Sequence, residues 1–229
     1  MKLKVLLSAS CLSIAASSLA HESGFYTAAG AVFSQFDARL RAEGVSGTDT
    51  ASSHFNEQTT QATGRLFAGY QQALHDHSFA AAELFFTPHD SVKKFDFDLH
   101  DPDSTNRTQI GSLKLSRDYT VGLNLKYGRY FDSKTAAFIG LGFLGSQFTT
   151  TFRDVTQSTS DRNSVFGVSP TVGIMHHIKP RLPVSLSYAY DIYKTFKTKN
   201  IDMTGADDSL RITSKNRYHT FMLSVSCML

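Results

Sequence analysis

The chain has 229 residues, with 23 Lys and Arg against 20 Asp and Glu for a formal charge of +3. Charged residues are only 19% of it, below the roughly 25% of soluble domains, and aromatics reach 12% with 18 Phe and no Trp. Past the N-terminus no apolar run approaches about 18 residues, which excludes a membrane-spanning helix. The mean hydropathy of −0.19 agrees.

Residues 1–20 read as a secretory signal peptide. Lys2 and Lys4 form a basic start, Val5 to Ala16 is mostly apolar, and Ser18-Leu19-Ala20 supplies the small-x-small cleavage site. Leu7 stands four places before Cys11, where a lipoprotein site wants three, so lipidation is not expected. The domain then spans 21–229. It carries 21 basic and 20 acidic residues, because Lys2 and Lys4 are the signal's only charges. That near-neutrality makes no electrostatic case for nucleic acid. Cys227 alone remains, so neither an intrachain disulfide nor a structural zinc site is expected.

Eight strand candidates follow in order, at about 24–39, 62–74, 78–87, 113–131, 135–152, 164–178, 183–196 and 217–229. The second centres on Arg65-Leu66-Phe67-Ala68-Gly69-Tyr70 and the third on Ala82-Glu83-Leu84-Phe85-Phe86. The fourth contains the sharpest pattern. Tyr119, Val121, Leu123, Leu125 and Tyr127 alternate with Asp118, Thr120, Gly122, Asn124, Lys126 and Gly128. A strand sends successive side chains to opposite faces, so one face is apolar with a tyrosine at each end. The tyrosines lie eight steps apart, roughly 26 Å along the strand or about 20 Å of depth at a 40° tilt, which suits an outer membrane. Tyr119, Tyr127 and Tyr188 are therefore expected in aromatic girdles. The seventh candidate places Leu186, Tyr188, Tyr190 and Ile192 on one face; the eighth does the same with His219, Phe221, Leu223, Val225, Cys227 and Leu229.

Connections alternate in length. Leu74–Ser78, Phe131–Thr135 and Lys179–Pro183 are tight turns, whereas about 40–61, 88–112, 153–163 and 197–216 are long and polar. Short turns at one end and long loops at the other is the layout of a transmembrane barrel. The expected fold is all-β: an eight-stranded antiparallel up-and-down transmembrane β-barrel, monomeric, with periplasmic termini and long loops outside the cell.

Gly24-Phe25-Tyr26 at the start of the first strand, Gly64-Arg65-Leu66-Phe67-Ala68-Gly69-Tyr70 in the second, and the alternating last strand carry a resemblance. Across 21–229 the chain resembles the small eight-stranded outer-membrane barrels of the OmpA and OmpX type. The resemblance implies a Gram-negative envelope protein, delivered by the outer-membrane assembly machinery and surrounded by outer-membrane lipid and lipopolysaccharide. It implies that Phe221, Leu223, Val225 and Leu229 form the C-terminal assembly signal, although family members usually end in Phe and this chain ends Cys227-Met228-Leu229. Members of the family serve as anchors, adhesins, serum-resistance factors and, in a few relatives, lipid A enzymes.

An eight-stranded interior is just wide enough to be filled by side chains. Arg65, Glu83, Asp118, Lys126 and Asp191 are expected inside as a polar network, with Glu83 near Arg65 across their hairpin, because a buried unpaired charge costs several kcal/mol. A narrow ion channel or weak porin is the alternative reading of that network. A lipid A-modifying enzyme is a third; but His219 and Ser224 fall on opposite strand faces, which separates the pair such chemistry needs. His75, His77, His176 and His177 read as polar turn residues, not metal ligands, and Asp96 to Asp103 as a solvated acidic loop. Phe95 and Phe97 read as extensions of the third and fourth strands. No cofactor, metal or catalytic residue is expected; the loops are the candidate surface for host molecules.

Overall fold

The computed structural model describes residues 23–46, 49–89, 92–95, 111–154, 158–198, 201–202 and 209–229. The signal segment, Phe97 and the acidic stretch lie outside these. The strands are β1 (Gly24–Ser46), β2 (Asp49–Ala73), β3 (Ser78–Pro88), β4 (Val92–Phe95), β5 (Gly111–Tyr130), β6 (Thr135–Asp154), β7 (Ser158–Lys179), β8 (Leu182–Tyr193), β9 (Phe196–Lys197), β10 (Ile201–Asp202) and β11 (Ser209–Met228). Eight of them are the staves; β4 pairs with β5, while β9 and β10 pair with β11. Each stave runs antiparallel to its sequence neighbour, and β11 returns to β1 from Tyr26↔Met228 to Val45↔Ser209. Closure leaves no sheet edge at the level of the apolar band, which is how an all-β chain satisfies its backbone polar groups in lipid.

The alternation places large apolar side chains outside. Leu66, Leu84, Val121, Leu125, Ile139, Phe143, Phe166, Ile174, Leu186 and Phe221 are all exposed. So much exposed apolar surface marks a membrane-contacting wall, since soluble monomers rarely show patches beyond a few hundred Å². Tyr119 and Tyr127 stand on this outer face at opposite ends of their band. Tyr188 is also on the outer face but half-buried, tilted against Phe221 with ring centroids 5.1 Å apart and bonded through its hydroxyl to His219 Nδ1 at 2.7 Å.

The short turns are tightly held. In the first, Asp76 and His77 adopt φ of 59° and 58°, and the Ser78 N–H donates to the His75 carbonyl at 3.3 Å. Two successive left-handed residues make a turn whose twist matches the flanking strands. In the second, the Asp132 carboxylate accepts the N–H groups of Lys134 and Thr135 at 2.6 Å each. The Lys134 N–H, then Thr135, hold that carboxyl below the usual range.

Strand length departs from expectation at the other end. Most of 40–61, read as a long loop, is paired strand: β1 runs to Ser46 and β2 starts at Asp49. Likewise β7 starts at Ser158 and β11 at Ser209. Apolar alternation on the outer face marks only the lipid-facing part of a strand; backbone pairing continues past it, where the outward residues turn polar, as at Arg39, Arg41 and Lys215, while Leu40 and Ile212 stay buried inside. Val92–Phe95 continues the third stave against β5, as expected for Phe95.

Not all staves extend equally. Pairing of β2 with β3 stops at Leu66↔Phe86, and that of β7 with β8 at Gly167↔Tyr193. Beyond these points the described strands form two blades, β11–β1–β2 and β5–β6–β7, projecting from the long-loop end.

Aromatic rings fill the barrel by lying on glycines. A Cβ at Gly122 would meet the Phe85 ring at 2.5 Å and the Phe143 carbonyl at 2.6 Å. Phe79 and Phe138 approach Gly128 and Gly173 in the same way. Gly122→Ala is expected to destabilise the barrel by about 1–3 kcal/mol through overpacking, read from urea unfolding of the refolded protein in vesicles. An unchanged midpoint would show that Phe85 moves aside freely.

Candidate functional site

The inward side chains form a polar layer flanked by two apolar clusters, with further buried polar groups such as Gln71 and Asn216 beside them. Nearest the short turns is a cluster of Phe79, Ala81, Tyr130, Ala136, Phe138 and Met175. The larger cluster toward the long-loop end includes Phe36, Leu40, Leu115, Phe148, Phe152 and Ile212. Within it Phe36 stacks on Tyr218 at 4.5 Å, and Phe148 packs against both Tyr193 and Phe196 at 5.4 Å.

The polar layer contains one ion pair. Lys126 Nζ lies 2.6 Å from Glu83 Oε1, and the Tyr26 hydroxyl donates to the same oxygen at 2.7 Å. Asn124 Nδ2 reaches Glu83 Oε2 at 3.3 Å. Lys126 also lies over the Phe138 ring, 4.8 Å from its centroid. Glu83 is 4% exposed, so its charge is stabilised by these donors and not by bulk water. Beside the pair is a cavity of about 20 Å³, bordered by Gln71, Ser185 and Ser224; that volume suits a single water.

Asp191 is buried in a separate cradle, accepting the Ser169 hydroxyl at 2.6 Å and the Thr220 hydroxyl at 3.2 Å. Ser34 bonds Thr220 from behind at 3.2 Å.

Two expectations for this network are corrected. Arg65 does not meet Glu83. Register sets Gly69, not Arg65, opposite Glu83, four residues short, and the Arg65 Nε instead donates to Thr87 Oγ1 at 2.7 Å with its guanidinium 4.4 Å from the Phe85 ring centroid. Asp118 does not face the interior network. A bulge between Arg117 and Tyr119 inserts one residue into β5 and reverses the parity beyond it. The Asp118 carboxylate consequently accepts the hydroxyls of Thr149 at 2.7 Å and Ser116 at 3.4 Å, on the outer side of the wall.

The same bulge turns Arg117 inward, where simple alternation would not place it. Its guanidinium lies 3.8 Å from the Tyr218 ring centroid and donates to the Tyr193 hydroxyl at 3.4 Å and to His89 Nδ1 at 3.2 Å. Gln61 Nε2 also lies 3.2 Å from that nitrogen. With donors converging on Nδ1, the ring carries its proton on Nε2 and donates it to Thr120 Oγ1 at 2.9 Å. Thr120 bonds Ser146 at 2.6 Å, and Ser146 bonds Tyr193 at 2.8 Å. The five side chains of Arg117, His89, Thr120, Ser146 and Tyr193 thus form a closed circuit. Arg117 and His89 had no sequence signal beyond being polar residues at the margin of an apolar strand. Tyr26, third donor to Glu83 alongside Lys126 and Asn124, was visible only as part of the Gly-Phe-Tyr start.

On the last strand Phe221, Leu223 and Val225 share the exposed outer face, and Leu229 follows it with its N–H donating to the Phe25 carbonyl at 2.9 Å. His219 and Ser224 face opposite sides of this wall, outward and inward. Among the described residues no three His, Cys, Asp or Glu side chains converge as a metal site would require.

A closed antiparallel barrel, apolar outside and packed inside, defines a transmembrane β-barrel protein. The family profile of the outer membrane protein beta-barrel domain matches residues 5–228, and the chain belongs to that family. Its place is accordingly the outer membrane. Among solved structures it is similar to the outer membrane protein OprG from Pseudomonas aeruginosa, with a TM-score of 0.54 and 13% identity over 93% of this chain and 100% of that one. Neisserial surface protein A aligns with a TM-score of 0.43 and 15% identity, covering 90% and 98%. The attachment invasion locus protein of Yersinia pestis aligns with a TM-score of 0.34 and 12% identity, covering 87% and 100%. No curated protein matches the chain.

Proposed function

We propose that the protein is a non-enzymatic barrel of the outer membrane that acts as an envelope component and, through its two blades, as a surface for contact with host molecules. The termini and short turns lie on the periplasmic side in this reading, and the blades stand outside the cell. The observation that carries it is the filling of the interior. Packed apolar clusters flank the polar layer on either side, which supports a filled interior, whereas the blades extend paired backbone well beyond the apolar band.

Planar-bilayer recording tests the first half. The wild type is expected to give no discrete conductance steps; steps that vanish on Lys126→Ala would replace this reading by a narrow channel through the Lys126–Glu83 layer. Lipid A acyl composition is expected to be the same with and without the protein, and a changed composition would point to an enzyme. Surface contact is tested by adherence of expressing and non-expressing cells to host-cell matrix, where equal adherence would remove that part of the proposal.

A further inference from the structure

Among the described residues a few buried polar atoms lack a hydrogen-bond partner, and two of them can only donate: Arg117 Nε and Asn216 Nδ2. Arg117 is 5% exposed and Asn216 0%. The two belong to one level of the barrel. Arg117 reaches across to Tyr218, 3.8 Å from its ring centroid, and Asn216 stands two residues further along β11 on the same inward face. The Asn216 carbonyl accepts the Ser214 hydroxyl at 2.9 Å, which leaves its amide nitrogen over. A buried donor in a native interior is ordinarily matched to a protein acceptor, a water or an ion.

Charge decides between water and ion. From Glu83 to Arg117 the inward side chains carry Lys126, Arg65 and Arg117 against Glu83 and Asp191. Lys126 is paired with Glu83. Asp191 is the strongest opposite charge acting on Arg65, and Arg117 repels that same guanidinium. Arg117 itself is left with an aromatic face, a hydroxyl and a neutral imidazole. A guanidinium does not shed its proton, and a buried charge without a counter-charge is costly. The interior is short of one negative charge, beside two donors that lack an acceptor.

We propose that Arg117 Nε and Asn216 Nδ2 hold a small monovalent inorganic anion, of the chloride kind, in the long-loop half of the barrel. One negative charge balances the interior, which a water would not do. The surrounding rings favour a single atom over a larger anion: Phe148 opposes Arg117 across the β5–β6 ladder, and Phe36 stacks on Tyr218 at 4.5 Å. The way in lies where β2 and β3 part above Leu66↔Phe86. There Arg65 bonds Thr87 and Gln61 bonds His89, side chain to side chain, and such bonds part and re-form without breaking a backbone ladder.

The test uses the mature barrel refolded in detergent micelles, with chloride as the probe. Heat-modifiable migration first establishes that each variant is a closed barrel. Urea midpoints are then measured as sodium gluconate is replaced by sodium chloride at constant ionic strength. The wild-type midpoint is expected to climb with the logarithm of chloride above half-saturation, as linkage to one bound ligand requires. Asn216→Leu, which removes one donor and keeps the volume, is expected to raise the half-saturating chloride about tenfold. Arg117→Met is expected to give the same midpoint in both salts. Lys215→Gln, on the outer wall, is expected to keep the wild-type response. Crystals soaked in bromide are expected to show an anomalous peak within hydrogen-bond reach of Arg117 Nε. Equal wild-type midpoints in the two salts would overturn the proposal, as would a chloride response that both Asn216→Leu and Arg117→Met retain in full. A water with no bromide peak at the site would overturn it as well. So would a bromide peak with no effect in solution, which means binding at crystal concentration only.

Discussion

Glu83→Ala is expected to destabilise the barrel by about 3–5 kcal/mol, the cost of leaving a buried cation without its partner. Lys126 is bound to Glu83 at 2.6 Å, and removing the carboxylate leaves the ammonium facing the Phe138 ring and the hydroxyl of Tyr26. Neither replaces a full negative charge at a position where Glu83 is buried. The Tyr26 hydroxyl and the Asn124 amide each lose an acceptor as well. The measurement is urea unfolding in lipid vesicles, scored by heat-modifiable migration. A loss below about 1 kcal/mol would mean that water reaches Lys126 freely, which would favour a conducting interior. The double variant Glu83→Gln/Lys126→Met is expected to recover much of the stability, because exchanging both partners of a buried pair for groups of similar shape is often neutral or better.

Phe148→Ala is expected to cost about 3–5 kcal/mol for a different reason, the cavity left by a fully buried aromatic side chain. Phe148 is 0% exposed and touches Tyr193 edge-on and Phe196 face-tilted. Tyr193 is also a member of the Arg117–His89–Thr120–Ser146 circuit, so loss of its packing partner loosens the polar ring beneath the cap. The same unfolding assay reads the stability. Phe148→Leu, which refills most of the volume, is expected to recover more than half of the loss. An alanine variant as stable as wild type would show that the cap collapses onto the void, and would remove the argument that this cluster is rigidly packed.

Much of the barrel was legible in the chain because membrane strands obey one simple rule. Lipid contact requires an apolar residue at every second position, so Tyr119 to Tyr127, Leu186 to Ile192 and Phe221 to Val225 could be assigned an outer face by counting. The tight turns were legible by their length. The interior was legible only where alternation ran unbroken, which placed Glu83, Lys126 and Asp191 inside but said nothing of their partners. Arg65 and Glu83 look adjacent across a hairpin, yet their separation depends on register, and register depends on where the turn at Asp76-His77 closes. Arg117 and Asp118 exchanged faces through a single inserted residue, which leaves no mark in composition.

Alternation, charge balance and the sorting of turns therefore determined by themselves that this is an eight-stranded barrel with a lipid-facing outside, because each depends only on local spacing along the chain. Tertiary structure alone decided three things: which charges pair, how far the strands run past the membrane, and that Ser34, Thr220 and Asp191 meet in one cradle. These depend on cross-strand register and on ring closure, which bring together residues nearly two hundred positions apart in sequence. Nothing in the neighbourhood of either residue encodes such a meeting.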